Sequence, residues 1–252
     1  MKNGLLLVAM VLGGVGVASA GTPSGASMCD SLAASDSLSR ISAGFDAQVN
    51  RRNVALFSGK KERIEDNVQS VEVGVNLFSW WQFFGTVGRS KVNWAGNDSA
   101  GMQYNKWSGG MHFKWGGFDI DQPNIMNGRL SFQNTVEFTQ YRSDNNTRIE
   151  NDTRSDNDVP RWSDTYADLT LNLDIYSKTQ KDTQLIPYAF TLYGGPAFST
   201  LSGHLNGSDL SENQKVGIVG GADIFFTYNC SIGAQVLFID TRSFDMNVRY
   251  RF

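Results

Sequence analysis

The sequence predicts an all-β chain, closed as an antiparallel transmembrane β-barrel of about ten strands, with eight and twelve the other even counts left open. Three features carry this expectation. Segment after segment alternates apolar and polar residues with a period of two, the side-chain period of a strand with one face in an apolar medium. Past residue 20, no run approaches the roughly 20 apolar residues that a membrane helix needs. Apart from the short connection at 240–242, the longer and more polar connections fall at one end of the barrel, so its two ends differ.

The strands follow in order. In the first, Ile41, Ala43, Phe45, Ala47 and Val49 oppose Ser42, Gly44, Asp46, Gln48 and Asn50. Residues 51–67 are charged and read as a loop, into which the strands can extend. The second strand sets Val71, Val73, Val75 and Leu77 against Glu72, Gly74 and Asn76, and residues 79–82 read as a tight turn. The third has Phe83, Gly85 and Val87 outward, and residues 94–104 follow as a loop. The fourth sets Trp107, Gly109, Met111, Phe113 and Trp115 against Ser108, Gly110, His112 and Lys114, before a turn region at 116–128. The fifth has Leu130, Phe132, Val136 and Phe138 opposite Ser131, Gln133, Thr135 and Glu137. Residues 143–162 are the most polar stretch and read as a loop. The sixth sets Ala167, Leu169, Leu171, Leu173 and Ile175 against Asp168, Thr170, Asn172, Asp174 and Tyr176, with a turn at 177–184. The seventh has Tyr188, Phe190, Leu192 and Phe198 on one face, with Pro187 and Pro196 placed near its ends, where a missing donor is tolerated. Residues 202–213 read as a loop. The eighth sets Val216, Ile218, Ala222, Ile224 and Phe226 against Gly217, Gly221 and Asp223, before a turn at 229–230. The ninth has Ile232, Ala234, Val236 and Phe238 outward. The tenth alternates without a break: Phe244, Met246, Val248, Tyr250 and Phe252 against Asp245, Asn247, Arg249 and Arg251.

The N-terminus reads as an export signal. Lys2 precedes an apolar run from Leu5 to Val17, and Val17-Ala18-Ser19-Ala20 places small residues before a cut at Gly21. Residues 1–20 are therefore the expected signal peptide, 21–37 a flexible periplasmic arm rich in Gly, Ser and Ala, and 38–252 the barrel. The net charge of −3 and the lack of a basic block argue against a nucleic-acid partner. The mean hydropathy of −0.30 suits a wall that turns only every second residue to lipid.

The final strand, ending on Tyr250-Arg251-Phe252, resembles the C-terminal strand of bacterial outer-membrane β-barrel proteins. That resemblance implies that Tyr250 and Phe252 form the signal read by the barrel-assembly machinery. It also implies a location in the outer membrane of a Gram-negative bacterium, with the N-terminus on the periplasmic side. The longer connections then face outward, and aromatics gather in two girdles: Trp80, Trp81, Trp115, Tyr188, Tyr228 and Phe252 on the inner side, Trp94, Trp107 and Trp162 on the outer. The expected partners are membrane lipids and lipopolysaccharide, and the chain is expected to be a monomer.

The inward faces carry the charges: Asp46, Glu72, Glu137, Asp168, Asp174, Asp223 and Asp245 against Lys114, Arg249 and Arg251. They fit either a salt-bridged filling or a narrow, cation-preferring solute channel of the porin kind. A backbone radius of about 11 Å, half consumed by side chains, favours the filling. Arg89 and Lys91 near the outer rim are placed to meet lipopolysaccharide phosphates. Cys29 and Cys230 both fall on the periplasmic side and could form a disulfide or remain two thiols. A rim-sited hydrolase is the rival class. His112 lacks Ser or acid at motif spacing, whereas His204 lies near Ser208 and Asp209. Asp152, Asp156 and Asp158 have carboxylate spacing but lack the Gly and closing Glu of a calcium loop. The expectation is a non-catalytic barrel without cofactor or metal, with a structural or surface-interaction role through its outer loops.

Overall fold

The computed structural model describes residues 41–56, 61–78, 80–94, 102–121, 126–143, 161–177, 189–205, 208–226 and 230–252. Eleven strands form one antiparallel sheet: β1 (Ile41–Leu56), β2 (Lys61–Phe78), β3 (Trp81–Trp94), β4 (Met102–Asp121), β5 (Met126–Ser143), β6 (Arg161–Ser177), β7 (Ala189–Leu205), β8 (Ser208–Glu212), β9 (Val216–Phe225), β10 (Cys230–Ile239) and β11 (Thr241–Arg251). Ten of them make the ring, in the order β11-β10-β9-β7-β6-β5-β4-β3-β2-β1, and β1 pairs with β11 to close it. The closing seam is continuous from Ser42 opposite Arg251 to Val49 opposite Phe244. Closure leaves no unpaired edge in the wall.

Each strand keeps the expected phase. Among the described residues, those named as outward in β1 to β7 and β9 to β11 are exposed or half-buried, and those named as inward are mostly buried. The outer surface is an apolar band, with Val71, Phe83, Val87, Phe132, Leu169, Leu192, Ile218 and Phe244 all exposed. It covers roughly ten residues of each tilted strand, or about 23 Å, which matches the apolar height of a membrane barrel. At the end holding Ile41 and Phe252, Phe78, Trp80, Trp81, Phe83, Phe113 and Trp115 stack edge and face in one aromatic cluster. Trp80, Trp115 and Phe252 are exposed there, as an interfacial girdle requires.

The stretches expected to be loops differ. β1 and β2 run through most of residues 51–67, pairing from Asn50 opposite Asp66 to Ala55 opposite Lys61. Much of 116–128 is also strand, since β4 continues to Asp121 past a bulge at Trp115/Gly117. In the stretch 202–213, residues 202–205 of β7 pair with 208–211 of β8. Pro196 lies mid-strand rather than near an end. The β6–β7 ladder is interrupted there between Asp168 opposite Ala197 and Leu171 opposite Gly194, so the missing donor falls in a gap. Gly195 fills that gap by close approach: a Cβ would strike the Leu169 carbonyl oxygen.

The extra strand changes the architecture at the end far from Phe252. β10 and β11 are short, and they turn through Asp240 alone, whose φ of 63° suits an Asp in the left-handed region. β1 to β7 continue beyond this turn. Above it β8 pairs on one side with β7, from Ser202 opposite Ser211, and on the other with β1, from Val54 opposite Glu212 to Leu56 opposite Leu210. Between β8 and β9 the chain stays tied to both neighbours: Ser199 N donates to Lys215 O, and Asn213 N to Asn53 O. The ten-stranded band thus narrows into an eight-stranded collar, β1 to β8, that stands above it. Eight strands enclose a space that side chains can just fill.

Candidate functional site

The interior of this tube is the candidate site, and it is layered. The collar is lined by an apolar core of Val54, Ile64, Val68, Val92, Tyr104, Tyr141, Trp162, Leu201 and Leu210. Trp162 is 7 % exposed and lies 4.4 Å from Tyr104 and 4.9 Å from Tyr141, ring centre to ring centre. The outer girdle predicted for Trp162 is therefore corrected. It stands on the inward face of β6, with Asp164 and Tyr166, because the collar has water outside and needs its apolar groups inside. The side chains of Trp94 and Tyr176, and all of Tyr188 and Tyr228, lie outside the described residues.

Beneath that core sits an ionic cluster centred on Arg52. Its guanidinium contacts Asp164 Oδ2 at 2.6 Å and Glu212 Oε1 at 3.1 Å, and donates to Ser199 Oγ at 2.7 Å. Ser199 Oγ lies 2.8 Å from Asp164 Oδ1, and Leu201 N donates to Glu212 Oε2 at 3.0 Å. The cluster joins β1, β6, β7 and β8 across the tube at the level where ten strands become eight. Burial alone would lower the Arg52 pKa, but Asp164 and Glu212 more than offset this and the net shift is upward. Burial raises Glu212, against the pull of Arg52. Asp66, also in the collar, is pushed up to about 6 by burial despite hydrogen bonds from Ser90 and Asn50. A second apolar cluster, Tyr166, Ala197, Val219, Leu237 and Ile239, packs on the side of β6 to β10.

The described remainder of the interior is polar and buried. Arg249 meets Glu72 at 2.6 Å, and Lys114 meets Asp174 at 3.6 Å. Lys106 Nζ donates to Gln48 Oε1 at 3.1 Å, Tyr166 Oη to Asp168 Oδ2 at 3.1 Å, and Thr191 Oγ1 to Asp174 Oδ1 at 2.6 Å. Asp46, Glu137, Asp223 and Asp245 are also buried on inward faces. Arg251, half-buried at the terminal end, places its guanidinium 5.2 Å from the Phe225 ring centre. Every charge expected in the lumen lies on an inward face. Arg52, Asp66, Lys106, Asp164 and Glu212 must be added to them, since all five are buried inside as well.

Apolar side chains face out across the band and charged and polar ones face in, the reverse of a soluble protein. The chain is an outer-membrane-type β-barrel. No protein-family model matches it, and no curated protein does. Among solved structures it is similar to the translocator domain of autotransporter NalP from Neisseria meningitidis, at 13 % identity and a TM-score of 0.32, covering 100 % of this chain and 95 % of that one. It is also similar to Salmonella typhi OmpF in complex with daunomycin, at 9 % identity and a TM-score of 0.18, covering 84 % of this chain and 97 % of that one. With TM-scores this low, neither likeness bears on which family of barrels this one belongs to.

The other predicted residues separate. His112 is buried in the wall lining, its ring stacked 4.6 Å from Phe84 and its Nδ1 3.1 Å from Thr135 Oγ1. His204 lies opposite Asp209 in the β7–β8 hairpin, with its side chain outside the described residues. Arg89 and Lys91 are exposed on the outward face of β3, just beyond the band. Cys230 opens β10, while Cys29 falls outside the described residues.

Proposed function

We propose that this barrel sits in the bacterial outer membrane with its collar outward, and acts as a closed, non-catalytic structural element that presents its far-end connections to the surroundings. The buried ionic lining supports this reading most: Arg52, Lys114 and Arg249 each meet a carboxylate on another strand. The collar cavity between Arg52, Asp66, Tyr141 and Trp162 measures only ≈ 20 Å³, room for about one water. Acids outnumber bases inside, and ion pairs from Arg249 to Glu72, Lys114 to Asp174, and Arg52 to Asp164 and Glu212 link different strands within the lumen, which favours a filling over a solute channel. His112 is fully buried and stacked on Phe84, away from any opening to substrate among the described residues. One chain completes the ring, so a monomer suffices.

The orientation has a direct check. An epitope tag inserted between Asn151 and Asp152, in the connection from β5 to β6, should be stained by antibody on intact Gram-negative cells expressing the chain. Staining only after permeabilisation would reverse the orientation, and recovery of the chain in the soluble fraction would refute the membrane location.

A further inference from the structure

The wall above the apolar band carries a row of side chains that the sequence disclosed only in part. The register places Gln69, Arg89, Asn105, Arg142 and Arg161 directly opposite one another on β2 to β6. All five are exposed and face outward. Arg142 and Arg161 are direct cross-strand partners, and like charges at that separation of about 5 Å destabilise a sheet. Among the described residues, none of Arg89, Arg142 and Arg161 has a carboxylate within ion-pair distance, and the outward faces of β3 to β6 above the band hold no acid. The neighbouring arc is different: Arg51 on β1 is paired with Glu65 at 2.9 Å.

The heights of these groups narrow the partner. A strand tilted about 45° climbs roughly 2.3 Å per residue. Arg89 and Asn105 stand two residues beyond Val87 and Trp107, the last apolar outward residues of their strands, or about 5 Å above the band. Lys91 and Arg142 lie four residues beyond Val87 and Phe138, at about 9 Å, and Arg161 lies six beyond Ala167, at about 14 Å. The headgroup layer of an ordinary bilayer adds only about 5–7 Å on each side. A phospholipid phosphate therefore reaches the foot of this ladder but not its top.

We propose that Arg89, Lys91, Asn105, Arg142 and Arg161 bind a lipid whose headgroup is a phosphorylated saccharide, of the lipopolysaccharide kind. The proposal rests on the membrane reading above and names the lipid that the collar would meet. A phosphomonoester carries close to two negative charges and three acceptor oxygens. It can neutralise two opposed guanidiniums at once and accept bidentate hydrogen bonds from each. A phosphodiester carries one charge and leaves the pair half compensated.

The test uses the full refolded chain. It is first scored for insertion into phosphatidylcholine vesicles, then titrated in neutral micelles with lipopolysaccharide, dephosphorylated lipopolysaccharide and phosphatidylglycerol. The phosphorylated glycolipid should bind at least tenfold tighter than either other lipid. The R142Q/R161Q variant should lose at least tenfold of that affinity, whereas K215Q/R242Q, on the opposite arc, should lose none. In lipid-free micelles R142Q/R161Q should melt at or above the wild-type temperature, since a repulsion has been removed. If that variant fails to fold, R89Q/K91Q should show the same loss of affinity. Equal binding of the phosphorylated and dephosphorylated forms, or wild-type affinity in the variants, would overturn the assignment while leaving the membrane reading intact. Failure to insert into vesicles would overturn both.

Discussion

Replacing Arg52 with methionine should cost about 3–5 kcal/mol of stability, because it removes one side of a buried ion cluster and strands the other. Asp164 and Glu212 are 5 % and 7 % exposed, and without the guanidinium their charges have no compensating cation at 2.6 and 3.1 Å. Ser199 would remain as a hydrogen-bond partner but carries no charge. The loss should depend on pH with a definite sign. Burial raises the Glu212 pKa and Arg52 lowers it, so deleting Arg52 lets the folded pKa rise further above the ordinary value of 4.5. The folded variant then holds a proton that the unfolded chain releases, and its stability falls as pH rises from 4.5 through the folded pKa. Guanidinium unfolding in micelles should therefore show a smaller deficit at pH 5 than at pH 8. Replacing all three charged residues by apolar ones of similar volume should recover most of the loss, since the desolvation cost leaves with the charges. A deficit independent of pH would mean that the cluster is wetter than its burial indicates.

Truncating Trp162 to alanine should have an effect of the same size, about 3–5 kcal/mol, by a different route. The indole is packed between Tyr104 and Tyr141 and borders the existing cavity of ≈ 20 Å³. Its removal leaves a void that the eight-stranded ring cannot close, because the hydrogen-bonded register fixes the circumference. W162F keeps a ring in the stack and should lose less. The alternative is an indole in the outer lipid girdle. In that case W162A would cost only its lipid contact, and its intrinsic fluorescence would be quenched by brominated lipid. Quenching of Trp107, which is exposed on the band, but not of Trp162, is the expected result.

Which parts of this molecule were legible follows from where alternation survives. Within the band, lipid outside and polar groups inside give each strand a clear period of two, and the phase of every strand followed from it. Above the band the contrast inverts rather than disappears. On β2, Val71, Val73 and Val75 face out while Ile64 and Val68 face in. On β4, Trp107 to Trp115 face out while Tyr104 faces in, and on β6, Ala167 to Ile175 face out while Trp162 faces in. The outward face of the collar carries polar groups such as Arg51, Glu65 and Asn105, so the same stretch reads as polar and loop-like. The inversion of phase at the band edge is the signal that distinguishes a projecting strand from a loop. Arg52, Asp66 and Glu212 were missed as interior charges because they fall in stretches assigned to loops, and Lys106 and Asp164 because they lie between an assigned loop and the alternation that follows it. The closure of β8 onto β1 left no local trace at all. It depends on β10 and β11 stopping short at Asp240, a comparison of lengths across the chain rather than a pattern within any segment. The opposition of Arg142 and Arg161 was likewise hidden, because it depends on cross-strand register.

Planar-bilayer recording of the purified full chain tests most directly whether the interior is closed. Barrels inserted with their fold verified should give a silent baseline in molar salt, with no unitary steps across the usual range of voltages. Stable open-channel steps from the wild-type protein, cation-selective in keeping with the acidic interior, would contradict it and make the chain a pore.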